Sequence, residues 1–166
     1  LLRFEVVRSI LEDSKGNFWF GSWKEGVCRF DGKSLTYFTA KDGLSDNQIR
    51  SIHEDKNGVV WFEGGFGISG FDGERIITPT NKNYTSKDDW QLGTGDLWFK
   101  EDGGIGATEI EAQPGVYRYD GKSFTYLAYP VPVDRSRIGA YATTGMAKGK
   151  SGRVWFDSRS PHGKGR

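Results

Sequence analysis

Apolar and polar residues alternate in short runs along the first fifty positions, and each run ends at a glycine, aspartate or asparagine. Residues 6–13 alternate as a half-buried strand does, and Asp13-Ser14-Lys15-Gly16 supplies a hairpin turn in which Gly16 can take the positive φ that other residues resist. Asn17 to Ser22 predicts a second strand around Trp19, Gly26 to Asp31 a third ended by Asp31-Gly32, and Ser34 to Thr39 a fourth. Strand, turn and strand at hairpin spacing predict an antiparallel sheet of four strands. Lys41 to Asn47 then carries the chain from the outer edge of this sheet to the inner strand of the next, and no convincing amphipathic helix follows anywhere.

The pattern repeats. Trp-Phe occurs at Trp19, Trp61, Trp98 and Trp155, and the first three are followed by an aromatic-Asp-Gly at Phe30, Phe71 and Tyr119. Val7 to Asp13 lies over Ile49 to Asp55 without a gap, with Gly16 and Trp19 falling on Gly58 and Trp61, 42 residues further on. A period near ~40 to 45 built of short strands points to the blades of a β-propeller. The expected fold is all-β: about four four-stranded blade units at residues 6–47, 48–86, 87–135 and 136–166, the last incomplete. Thr78-Pro79-Thr80 replaces the clean outer strand of the first repeat, so the outer strand of the second should be short. The spacing from Trp98 to Asp120 exceeds that from Trp19 to Asp31 by about ten residues around Gly103 to Gln113, and insertions in repeat arrays emerge as loops, often on the binding face. An incomplete last blade exposes an edge; pairing of residues 1–5 with it and closure between chains are equally weighted.

Composition narrows the function classes. Aromatic content of 14% and 24 glycines favour pleated, turn-rich structure. A formal charge of +1, from 23 basic and 22 acidic residues, argues against nucleic acid as a partner. No apolar run reaches the ~18 residues of a membrane span, which argues against direct insertion, and Leu1 to Glu5 is too short and charged for a signal peptide. The single Cys28, on a face with Phe30, is expected to be buried and unreactive.

Ile-x-Glu-Asp, the Gly-Asn turn, Trp-Phe-Gly-Ser, Arg-Phe-Asp-Gly-Lys, Tyr-Phe-Thr and Lys-Asp-Gly-Leu-Ser-Asp-Asn, read from Ile10 to Asn47, resemble the two-component regulator propeller repeat. The match is strong over residues 6–75, fair over 95–127 and thin elsewhere, with fewer blades than the family usually shows. The resemblance implies a periplasmic or extracellular ligand-sensing propeller, glycans being a frequent ligand class. It also implies that such propellers stand ahead of a membrane span, a histidine kinase or another output domain, none of which is encoded here.

Candidate site residues follow from where the repeat breaks its own rule. The repeated tryptophans are read as inter-blade packing and the Asp-Gly pairs as turn chemistry. Asp13 to Asn17 and Asp55 to Gly58 approach calcium-loop spacing, but the distal glutamate is missing and a hairpin turn explains them better. Two residues past the tryptophan stands Gly21 in the first repeat but Glu63, Lys100 and Asp157 in the others, three charges able to line one rim or to pair with one another. Trp23 and Trp90 lie outside the repeated column and are candidates for sugar stacking, and His53 replaces Leu11 as a half-buried or pH-sensitive imidazole. The ligand-binding set is therefore Trp23, Glu63, Trp90, Lys100, Asp157 and His53, with no metal and no cofactor. The favoured function is a non-catalytic sensor module for a small extracytoplasmic ligand such as a saccharide. Two alternatives stay open: a propeller lyase or hydrolase acting on a polysaccharide or lactone, drawing on His53, Tyr141, Glu63 and Lys100, and a structural unit that assembles as a homo-oligomer.

Overall fold

The structure, a computed structural model, describes residues 3–65, 67–79, 82–84, 95–100, 115–128, 143–150 and 153–158. The chain divides into two compact units, Leu1–Thr80 and Asn81–Arg166.

The first unit holds two four-stranded antiparallel sheets, each with its strands in chain order. Blade one is β1 (Val7–Glu12), β2 (Phe18–Ser22), β3 (Val27–Phe30) and β4 (Leu35–Phe38); blade two is β5 (Ile49–Glu54), β6 (Val60–Gly64), β7 (Ile68–Phe71) and β8 (Ile76–Ile77). All four strands expected in blade one form within a residue or so of their expected ends. Strand β8 has only two residues, as the Thr78-Pro79 sequence predicts, because proline offers the ladder no N–H.

Local chemistry explains why these hairpins close where they do. Asp13 Oδ1 accepts hydrogen bonds from the backbone N–H groups of Lys15 (3.0 Å) and Asn17 (2.9 Å), while its Oδ2 accepts the indole N–H of Trp19 at 2.8 Å. Asp55 does the same in blade two, bonding the N–H groups of Asn57 (2.8 Å) and Val59 (3.0 Å) and the indole of Trp61 (3.1 Å). One carboxylate thus shapes the turn and fixes the orientation of a core tryptophan six residues on. Gly16 has φ 80°, the left-handed conformation expected of it. At the far hairpin, Asp31 Oδ1 caps the N–H groups of Lys33 and Ser34, and Asp72 and Asp120 repeat the arrangement.

The core between blades one and two is aromatic. Trp19, 1% exposed, has Phe62 and Phe71 of blade two at 5.4 and 5.2 Å between ring centroids, with Val27, Ile52 and Val60 around it. Leu44, from the connection between the blades, completes the cluster. That connection contains a single 3-10 turn, Ala40–Asp42, capped reciprocally by Thr39 and Asp42. Its carbonyls hold both blades: Asn47 O accepts from Gly26 N–H and Gln48 O from Gly65 N–H.

The second unit contains β10 (Leu97–Lys100), β11 (Gly115–Tyr119) and β12 (Phe124–Ala128) as an antiparallel sheet, and a hairpin of β13 (Thr143–Lys148) with β14 (Val154–Ser158). The three-residue strand β9 (Lys82–Tyr84) pairs in parallel with β12. The segment before the third repeat therefore joins that repeat's sheet, although the sequence boundary at 86 assigned it to blade two. Among the described residues the last repeat is two-stranded, consistent with an incomplete blade. A register shift recurs at one position of the inner strand in three repeats, between Val7 and Ser9, Ile49 and Ser51, and Thr143 and Gly145.

One tryptophan departs from its expected role. Trp61 and Trp98 are buried like Trp19, but Trp155 is 63% exposed. The position six residues before it is Gly149, which has no carboxylate to hold the indole as Asp13 and Asp55 do.

Candidate functional site

Two groups of side chains in the first unit have the chemistry of a recognition site. The first lies at the turn from β2 to β3. Trp23 follows the last residue of β2, its N–H bonds Val6 O at 3.2 Å, and its ring is 47% exposed. The Arg8 guanidinium stacks 4.3 Å from the ring centroid, an arrangement that orients an otherwise mobile indole. Beside it Lys24 pairs with Glu5 at 3.0 Å, and Ser22 Oγ accepts the Glu25 N–H at 2.6 Å. The Lys24 ammonium is held above its ordinary value, first by the hydrogen bond to Glu5 and then by that carboxylate's charge. The corner thus combines an accessible aromatic ring with charged hydrogen-bonding groups of both signs, which suits a polyhydroxylated ligand.

The second group is internal. Register pairs Ser51 with Glu63 and His53 with Trp61, so Ser51, Glu63 and His53 share one face of blade two. Glu63 is 2% exposed and accepts the Ser51 hydroxyl. Burial lowers the His53 imidazole below its ordinary value, opposed by the charge of Glu63, so the ring is held neutral. In blade one the matching positions are Ser9, Gly21 and Leu11; a Cβ at Gly21 would meet Ser9 Oγ and Ile49, so no acidic side chain fits there.

The remaining candidates are distributed differently. Lys100 ends β10, half-buried opposite Val116, and Asp157 lies exposed on β14 opposite Gly145; both belong to the second unit, whereas Glu63 and His53 belong to the first. Trp90, Tyr141 and the insertion at 103–113 lie outside the described residues. Arg8 and Ser51 escaped the sequence reading. Ser51 carried a signal, because the repeat places it opposite Glu63 once the β5–β6 register is drawn; Arg8 carried none, since its contact depends on the bulge beside it.

Cys28 is fully buried, and burial pushes its thiol up despite a hydrogen bond from Tyr37 that acts the other way. Among the described residues no three His, Cys, Asp or Glu side chains converge as metal ligands, and no helix is long and apolar enough to cross a membrane.

Solved structures share this architecture. The extracellular domain of a putative hybrid two component system from B. thetaiotaomicron superposes with a TM-score of 0.60 at 20% identity, over 96% of this chain and 23% of that one. The extracellular domain of a putative one component system from the same organism gives 0.59 at 22% identity, over 91% and 22%. A catalytically inactive virginiamycin B lyase from Staphylococcus aureus gives 0.58 at 20% identity, over 93% and 50%. These likenesses establish the β-propeller fold, and the chain spans about a quarter of the length of the two extracellular domains. No curated protein matches the chain. The two component regulator propeller family model matches at residues 2–24 and 43–62, the inner strands of the first two repeats.

Proposed function

We propose that this chain is a non-catalytic, ligand-binding part of an extracytoplasmic sensor propeller, and that its ligand is a small saccharide. The observation that carries the reading is Trp23, an aromatic ring nearly half exposed yet oriented by Arg8 and bordered by Glu5, Lys24 and Glu25. A pyranose lays its C–H face on such a ring while its hydroxyls reach flanking charged groups. The extracytoplasmic placement is supported by the regulator-propeller repeats and by the extracellular domains that share the fold.

The lyase alternative has weaker support. Its only described imidazole, His53, lies with Glu63 and Ser51 on one sheet face, and Ser51 gives its hydroxyl hydrogen to Glu63 rather than to that imidazole. The test is a glycan array probed with the chain and with Trp23→Ala. Binding of one glycan class, lost in the variant with unchanged circular dichroism, supports the proposal. A wild-type chain that binds no glycan, or a variant that binds equally, refutes it.

A further inference from the structure

The first and third repeats carry the same run, Arg29-Phe30-Asp31-Gly32-Lys33-Ser34 and Arg118-Tyr119-Asp120-Gly121-Lys122-Ser123. In both sheets the arginine stands directly across from the repeated tryptophan, Arg29 from Trp19 and Arg118 from Trp98. Two residues before each tryptophan, on the same sheet face, the repeats differ: Asp96 in the third and Asn17 in the first. Asp96 is buried and accepts the Arg118 Nε–H at 2.6 Å, so that guanidinium is neutralised within its own sheet. Blade two has Val59 and Gly70 at these positions and carries neither group.

Arg29 lacks that acceptor. Asn17 turns its amide N–H groups to Asp13, 3.1 Å from Oδ1 and 2.8 Å from Oδ2. The carboxylates of the adjoining turns are committed elsewhere. Asp13 takes the Trp19 indole and the backbone N–H groups of Lys15 and Asn17, and Asp31 takes those of Lys33 and Ser34 and the Ser34 hydroxyl at 2.9 Å. What Arg29 does touch is aromatic: its guanidinium carbon lies 5.2 Å from the Phe71 ring centroid and 5.8 Å from that of Trp19. Rings stabilise the charge but do not replace the acceptor that the N–H edge of a guanidinium calls for. Among the described residues Arg29 forms no hydrogen bond or ion pair, and its Nε, shielded from water, has no acceptor. A half-buried guanidinium in this condition gains more from an anion than a fully hydrated one does.

We propose that Arg29 is the centre of a carboxylate-binding site at the junction of blades one and two, where a small organic acid takes the part that Asp96 plays for Arg118. The carboxylate meets the N–H edge of the guanidinium, the geometry in which arginine binds such groups best. Phe71 and Trp19 supply the floor that holds the charge in place. The site shares no residue with the Trp23 corner, and it selects by the ligand's acid group rather than by its hydroxyls.

Nuclear magnetic resonance titration with sodium glucuronate, sodium acetate or glucose at constant ionic strength tests it, with the Arg29 Nε–H and Trp19 indole N–H signals observed. Saturable shifts are expected with the carboxylates and none with glucose. Arg29→Gln should abolish the Trp19 response. Asn17→Asp, which installs the acid of the third repeat beside Arg29, should weaken carboxylate binding at least about tenfold. Should either variant lose its circular dichroism, the other decides. Glucuronate binding tighter than acetate assigns the site to sugar acids and equal affinity assigns it to simple carboxylates; either supports the site. Trp23→Ala should leave the titration unchanged, so the two sites stand or fall separately. No saturable shift in the wild-type chain, an equal response to glucose, or undiminished binding by a folded Arg29→Gln or Asn17→Asp chain overturns the proposal. So does binding lost in Trp23→Ala, which places the carboxylate at that corner instead.

Discussion

Replacing Trp19 by phenylalanine tests whether the Asp13 carboxylate joins turn to core. The change keeps an aromatic ring against Phe62 and Phe71 but removes the indole N–H that reaches Asp13 Oδ2 at 2.8 Å. A buried hydrogen bond to a charged group contributes about 1.5–3 kcal/mol. The smaller ring leaves a void at a site only 1% exposed, which adds on the order of 1 kcal/mol. The expected loss is therefore about 2.5–4 kcal/mol. Trp155→Phe, at the matching repeat position, should cost less than about 0.5 kcal/mol, because its ring is exposed and Gly149 offers it no carboxylate. Urea unfolding followed by far-UV circular dichroism measures both, each unit being fitted separately if two transitions appear. Combining Trp19→Phe with Asp13→Ala isolates the bond, with an expected coupling of about 1.5–3 kcal/mol. Additive effects in that cycle, or equal losses for Trp19→Phe and Trp155→Phe, would refute the reasoning.

Other consequences follow from single contacts. Gly70→Ala places a Cβ 2.7 Å from the buried Trp61 ring, so stability should fall by about 1–3 kcal/mol in the same urea assay; no loss would mean that the ring has room to move. The Asp31 carboxyl is held down to about 2 by the backbone N–H groups of Ser34 and Lys33, and Asp72 and Asp120 are lowered in the same way by theirs. Their folded values lie below the ordinary one, so the stability they contribute is complete above the usual carboxylate range and is lost as pH falls through it; Asp31→Asn should flatten that acid limb. His53 is also lowered in the folded state, so its contribution is complete above the ordinary imidazole value and declines as pH falls below it, a slope that His53→Gln should remove. Cys28 should react with a thiol reagent only on unfolding, its labelling rate rising with denaturant.

The blades with complete turn chemistry were the ones legible in the sequence. Asp13, Gly16 and Asp31 shape their hairpins through contacts within a few residues, so local pattern sufficed for blade one and, through the repeat, for blade two. The parallel pairing of Lys82–Tyr84 with β12 was not legible, because its partners lie about forty residues away and three residues carry no periodicity. Trp155 misled because the Trp-Phe dipeptide persists where the ring is exposed, and that exposure is seen only in three dimensions. For the candidate site, Trp23 stood out as a tryptophan outside the repeat column, yet Arg8 stacking on it was hidden. Glu63 was noticed as a break in the pattern, but its burial against Ser51 required the strand register.

The central structural claim is that within each unit a tryptophan face closes on the phenylalanine face of the neighbouring sheet, and nuclear Overhauser spectroscopy tests it most directly. With tryptophan and phenylalanine ring protons selectively observed in a dilute sample, the account predicts cross-peaks from Trp19 to Phe62 and from Trp98 to Phe156, with Trp155 showing none to any phenylalanine ring outside its own sheet. Absence of the first two, or a Trp155 as strongly connected as Trp19, would contradict the blade order on which the reading of this chain rests.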